Sequence, residues 1–352
     1  MALSRMCRIS DLCSSRYPVL LRPQRCDAKF AKQTRQFRKG RNQEYEKINE
    51  NPDSVATPFT VLTEARNLTF AHLWKPFLFT VGFTSFSLVG AAIWEYENMR
   101  SHAQTMLKRP IRHFKAKLEQ VFTVQQGGTT MSGKVKKWWN SLSPGERVFV
   151  PICAINLLVF AAWRVPRLQP IMLKYFCSNP GSSSVVLPMV LSTFSHYSLF
   201  HLLANMYVLH SFSTGAVHSL GQEQFLALYL GAGVISSFTS YVYKVIVKKP
   251  GLSLGASGAI MGILGYVCTQ YPDTRLGIIL IPFFTFSAGA AIKFIVGLDT
   301  AGVLMGWKFF DHAAHLGGAA TGILYALYGN KYIWQKREPI LQYWHDIRGS
   351  IK

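Results

Sequence analysis

Apolar stretches of membrane-spanning length recur along this chain, and they restrict its fold more than any other feature. A helix needs about 20 mostly apolar residues to cross the hydrocarbon core of a bilayer. The first candidate is Pro76–Trp94, flanked by Lys75 and Glu95. Six more follow, at Val148–Trp163, Leu199–Val217, Phe225–Val247, Ser257–Gln270, Leu276–Leu298 and Ala313–Tyr328. Backbone N–H and C=O groups find no water in hydrocarbon, so only helices or closed barrels can cross it. These runs are too long for barrel strands of about 9–11 residues. The expected fold is therefore an all-α membrane protein, with one N-terminal helix, a connector and a compact six-helix bundle (1+6).

Composition agrees with a bilayer as the main partner. Hydrophobic residues make up 49% of the chain and charged residues only 16%, against roughly 25% charged in an ordinary soluble domain. The formal net charge of +21 taken alone suggests a nucleic-acid binder. A positive mean hydropathy of +0.15 argues against that partner, and 13% aromatic residues exclude intrinsic disorder. Six cysteines include no Cys-x-x-Cys pair, so a zinc site or thioredoxin-like motif has no support.

Much of the charge is at the N-terminus. Residues 1–43 carry eleven basic side chains, from Arg5 to Arg41, and only Asp11 and Asp27 as acids. An Arg-rich, acid-poor segment with serines and no continuous apolar core is the pattern of a mitochondrial transit peptide, drawn inward by a negative-inside potential. Removing it leaves +12. The expected organisation is a cleaved leader at 1–43, a soluble segment at 44–75, the first span at 76–94, a basic connector at 95–147, the bundle at 148–330 and a polar tail at 331–352. A loop with Pro166, Pro170, Pro180 and Gly181 occupies 164–198.

Three polar clusters sit in spans that lipid should keep apolar, and such residues tend to mark function. In the first, His201 and Asn205 are four apart and share a helix face, with His196 expected one turn back. Both can donate hydrogen bonds, although His and Asn also serve as glue between membrane helices. The second is Gly255-Ala256-Ser257-Gly258, continued by Gly262 and Gly265. Small residues at this spacing let two helix backbones approach closely. The third is Asp311-His312-Ala313-Ala314-His315 with Gly318 and Gly322. Asp311 suits a helix cap, and His315 shares a face with the two glycines. If the small faces of the second and third clusters pack, Ser257 and His315 meet. A serine hydroxyl is a poor nucleophile until a base takes its proton, and a neutral buried histidine is such a base. His312 is the rival base, expected instead at the interface or in a capping role. No acidic residue is obviously placed to orient His315, so the expected machinery is a Ser–His dyad, with Asn205 and His201 as oxyanion donors.

The order His-x-x-x-Asn, Gly-x-Ser-Gly and Ala-His-x-x-Gly-x-x-x-Gly on successive spans resembles the rhomboid intramembrane serine proteases, over about 145–330. The additional leading span is similar to a mitochondrial branch of that family. The resemblance implies Ser257 as nucleophile and His315 as general base. It implies Asn205, His201 and the Ser257 backbone N–H around the oxyanion, with Gly255 and Gly258 shaping the turn and Gly318 and Gly322 near the site. The implied reaction is hydrolysis of a peptide bond in or beside the transmembrane helix of a single-span substrate in the mitochondrial inner membrane. It also implies roles in quality control and apoptosis, no metal or cofactor, and possible oligomerisation. Two departures stand out. Met261 occupies a position where many rhomboids have a tyrosine that supports the histidine, and residues 166–198 lack the Trp-Arg pair common in the family's first long loop. The alternative is an inactive rhomboid-like protein that binds transmembrane helices. A transporter would show internal repeats and mid-membrane charges, and the sequence shows neither.

Overall fold

The computed structural model describes residues 68–122, 131–278 and 281–350. The leader expected over 1–43, and most of the segment expected over 44–75, lie outside the described residues. The architecture is the expected all-α one. Helices α1 (Trp74–Phe122), α2 (Met131–Ser141) and α3 (Pro144–Ala162) lead in, and short helices α4 (Gln169–Tyr175) and α5 (Leu187–Leu191) punctuate the loop that follows. The bundle continues with α6 (Leu199–Leu220), α7 (Gln222–Ile246), α8 (Ser257–Gln270), α9 (Ala288–Met305) and α10 (His312–Leu324). A π-helix (Tyr325–Trp334) and α11 (Glu338–Ser350) close the described chain. By length and composition, Phe70–Lys108, Pro144–Ala162, Gln222–Ile246 and Ala288–Met305 are each able to cross a membrane.

Local signals fix several boundaries. Before α3, the Ser143 hydroxyl accepts from the Glu146 N–H at 3.2 Å, and the Glu146 carboxylate accepts from the Ser143 N–H at 2.7 Å. This is a reciprocal capping box with Pro144 at the first helical position. The basic stretch after Trp94 is largely helical, because α1 runs on to Phe122 without a break. The tail docks back on α1 through Arg337 and Glu95 at 2.8 Å, Trp344 and Glu97 at 3.0 Å, and an Arg348–Glu97 ion pair.

One expected span begins elsewhere. The run expected to form a helix over Leu276–Leu298 starts as an antiparallel hairpin, β1 (Arg275–Ile278) and β2 (Ile281–Ser287), and α9 begins only at Ala288. The cause is local: Pro282 cannot donate a backbone hydrogen bond, and the β-branched and aromatic residues around it favour an extended chain. Ser287 then caps α9, its hydroxyl accepting from the Ala290 N–H at 3.2 Å, and Gly306 ends the helix in the left-handed conformation (φ +68°).

The centre of the bundle is α8, packed on α6, α7, α9 and α10. Ile260, Ile263 and Tyr266 on α8 meet Leu202 and Leu209 of α6 and Phe225 and Tyr229 of α7 in one buried cluster. Between α8 and α10 the backbones themselves touch. A Cβ on Gly318 would overlap the Gly258 carbonyl oxygen, and one on Gly322 would overlap that of Gly262. Overpacking costs typically 1–3 kcal/mol. Gly322→Val should therefore lower the thermal midpoint in detergent by several degrees. Gly297→Ala, at a position with nothing within 4 Å of the added methyl, should leave it unchanged or slightly raised.

Candidate active site

Ser257 is the first residue of α8, and His315 lies in the first turn of α10. The glycine contact between these helices brings the two side chains together, with His315 Nε2 2.9 Å from Ser257 Oγ. The first N–H groups of a helix lack intrahelical acceptors, so those of Ser257 and Gly258 are donors at the N-terminal end of α8, beside the hydroxyl.

The turn entering α8 is held from several sides. Gly255 has φ +134°, a conformation that L side chains rarely adopt, and a Cβ there would lie 2.7 Å from Cε1 of His201. Both the backbone angle and the imidazole therefore demand glycine. The Gly255 N–H donates to the Ser192 carbonyl at 2.9 Å, and Ser178 and Ser253 exchange backbone bonds of 2.8 and 2.9 Å. The Ala256 N–H donates to Nε2 of His196 at 3.3 Å. His196 lies in the loop before α6, not on a shared turn with His201. Burial, with a smaller contribution from the neighbouring His201 ring, pushes its pKa down to about 3, which keeps Nε2 a neutral acceptor. The two rings meet edge to face at 4.9 Å. Trp163 steadies the same loop by donating its indole N–H to the Ser195 hydroxyl at 2.9 Å.

His201 lines the same cavity as Ser257 and His315. Asn205 is one turn further along α6, buried, with its amide nitrogen donating to the His201 carbonyl at 2.8 Å.

The expectation that no acid orients the base is corrected by Asp299. Its Oδ1 lies 3.2 Å from His315 Nδ1 and 2.6 Å from His312 Nδ1. All three residues are buried. His312 is thus neither interfacial nor the cap, but the second partner of that carboxylate. Asp311 does cap α10, its Oδ1 accepting from the Ala314 N–H at 3.1 Å. Its Oδ2 takes the Ser240 hydroxyl at 2.5 Å and the Ser253 hydroxyl, and pairs with Lys244 at 3.6 Å. Met261 packs with Cys268, Ala288, Ile292 and Ala319. Support for the histidine ring comes from Asp299 on its Nδ1 side and from Phe310, whose ring centroid is 5.9 Å away.

Sequence reasoning missed Asp299 because the sixth span was expected to end at Leu298. The shift of α9 toward the C-terminus brings Asp299 inside the helix. The signal available in the sequence was an isolated acid in the apolar stretch Ile295-Val-Gly-Leu-Asp299-Thr-Ala-Gly-Val, costly in a membrane unless paired. Asp299, His312 and His315 place one ligand-type atom each within 4.8 Å of one another, close enough for a divalent cation. The His312–Asp299 contact fits a hydrogen bond better, because ligands at about 2.0–2.1 Å around one zinc ion stand further apart than 2.6 Å.

The arrangement is a hydroxyl and a carboxylate on opposite sides of one imidazole, each within hydrogen-bond distance of a different ring nitrogen. Residues 184–332 match the Rhomboid domain family. The chain is 55% identical to a rat protein named presenilin-associated rhomboid-like protein, mitochondrial, over 78% of this chain and 72% of that one. A human protein of the same name is 54% identical over the same shares. The yeast Rhomboid protein 1, mitochondrial, is 34% identical over 54% of this chain and 56% of its own length.

Asp299→Asn, which keeps the shape but removes the carboxylate charge beside Nδ1, should slow labelling of Ser257 by a fluorophosphonate by about 10²–10⁴-fold, the range of general-base assistance. His312→Ala should give a smaller loss, because it removes one of two hydrogen bonds that fix the carboxylate. Labelling rates with matched thermal midpoints check both.

Proposed function

The chain belongs to the rhomboid family, and from that premise we propose that it is an intramembrane serine protease of a mitochondrial membrane. The observation that carries the proposal is the 2.9 Å contact between Ser257 Oγ and His315 Nε2, with Asp299 behind the imidazole. The relatives' printed names support the mitochondrial placement. The inner membrane, the import leader at 1–43 and the 1+6 arrangement of spans, with α1 ahead of α3 and α6 to α10, belong to the same proposal. Mitochondrial quality control and apoptosis are the processes it would serve.

The proposed mechanism starts from that contact. Ser257 Oγ attacks the carbonyl carbon of the scissile bond as its proton passes to His315 Nε2. His315 Nδ1–H donates to Asp299, which stabilises the imidazolium that forms. The negative oxygen of the tetrahedral intermediate is met by the Ser257 N–H, with His201 and Asn205 as side-chain donors. For Asn205 this requires a rotation away from the His201 carbonyl it now serves. The intermediate collapses, His315 gives its proton to the departing amine, and an acyl-enzyme remains on Ser257. Water, deprotonated by the same imidazole, then releases the carboxylate product. A substrate helix hides its carbonyls in its own hydrogen bonds, so the scissile segment must unwind before Ser257 can reach it.

Ser257→Ala, reconstituted with a single-span substrate, should lose cleavage and fluorophosphonate labelling at an unchanged thermal midpoint. Undiminished cleavage would sink the assignment. Asn205→Ala and His201→Ala should each lower kcat by about 10²–10³, the cost of one oxyanion donor. A change confined to KM would instead place those residues in substrate binding.

A further inference from the structure

A cavity of about 950 Å³ opens over Ser257 and His315, near the upper end of the roughly 300–1,000 Å³ seen for ligand pockets. Its walls are two loops. One follows α7 and contains Lys248-Lys249-Pro250-Gly251, and the other joins α9 to α10 and contains Trp307-Lys308-Phe309-Phe310. Lys248, Lys249 and Lys308 line its mouth, and no ion pair to them occurs among the described residues. Lys248 also holds φ +53°, a left-handed conformation that favours glycine or asparagine. Among the described residues the one carboxylate lining the cavity is Asp311, already engaged by Lys244, Ser240 and Ser253.

We propose that this cavity selects substrates carrying an acidic segment beside the transmembrane helix, read by Lys248, Lys249 and Lys308. The proposal rests on the protease reading above and names the substrate class of that same site. Unpaired cations around a concave mouth with apolar walls focus a positive potential into it. The cations stand on the walls of the cavity that holds the nucleophile, which is where substrate residues flanking the scissile bond must pass. This chain's own N-terminal segment does not fit, since residues 1–43 hold eleven basic and two acidic side chains. Phe309 and Phe310, 64% and 57% exposed, offer apolar surface beside the lysines, so a mixed acidic and apolar segment suits the wall better than a purely acidic one. Attraction between exposed charges acts over about 8 Å at physiological ionic strength and is screened by salt.

The test uses the full chain in phosphatidylcholine vesicles and three single-span substrates. They differ only in four residues on the active-site side of the helix, made acidic, neutral or basic. The wild type should cleave the acidic substrate with kcat/KM about tenfold above the neutral one and the basic one more slowly still, with the order erased by high salt, as for steered association. The variant Lys248→Glu/Lys249→Glu/Lys308→Glu, with a matched thermal midpoint, should reverse the order, and the triple Gln variant should flatten it. Equal kcat/KM for the three substrates in the wild type, or an order unchanged in the Glu variant, overturns the proposal. So does a variant effect that appears only when anionic lipid is added and falls equally on all three substrates, which would assign the lysines to lipid headgroups. Absence of any Ser257-dependent cleavage is a separate result and overturns the protease reading itself.

Discussion

The contact between α8 and α10 is the constraint on which the rest of the bundle depends. In a bilayer the surrounding lipid is as apolar as leucine, so burial of apolar surface gives little reason for two helices to associate. What remains is dispersion between closely fitted surfaces, strongest where backbones can touch. Gly265, Gly318 and Gly322 provide that fit, a Cβ on each overlapping backbone of the facing helix, while Gly258 and Gly262 bring α8 equally close to Ser236 and Ala232 of α7. The same contact sets the distance between Ser257 and His315, because each lies within a turn of a glycine in it. Packing and reactive geometry are thus one requirement, and a substitution that loosens the first also separates the second.

The nucleophile loop shows how irregular backbone survives next to such a bundle. Residues 248–256 contain two positions with positive φ, Lys248 and Gly255, and several backbone groups that no helix can satisfy. The 164–198 loop supplies the partners through Ser178, Ser192 and His196. His196 is better understood as a fixed acceptor for the loop than as part of the reacting set. Trp163 anchors its neighbour Ser195, which ties the end of α3 to the turn in front of Ser257.

Features that depend on short sequence spacing are legible in the residues alone. Ser257 with its glycines, His315 with Gly318 and Gly322, Asp311 as a cap, and the His201–Asn205 pair all follow from intervals of one to four residues. The helical character of the chain is legible too, because apolar length alone dictates it. What escapes depends on where an element starts. The apolar run beginning at Leu276 gives no break in hydropathy at Ser287, yet Pro282 turns its first part into a hairpin and moves the helix on. A span ending at Leu298 leaves Asp299 outside, whereas the residue faces the base from within α9. The Lys244–Asp311 pair is equally hidden in the sequence, since it joins α7 to the start of α10 across 67 positions.

The position of Asp299 has a consequence for how the site responds to its surroundings. It is carried by α9, which packs on α8 and α10 and whose Leu304 and Met305 line the cavity over Ser257. The serine and histidine stand on the two most tightly joined helices, whereas the carboxylate arrives on a neighbour. A tilt of α9 that left the Ser257–His315 hydrogen bond intact would still withdraw the acceptor from Nδ1. Orientation of the imidazole thereby depends on a helix other than the two that carry the reacting pair.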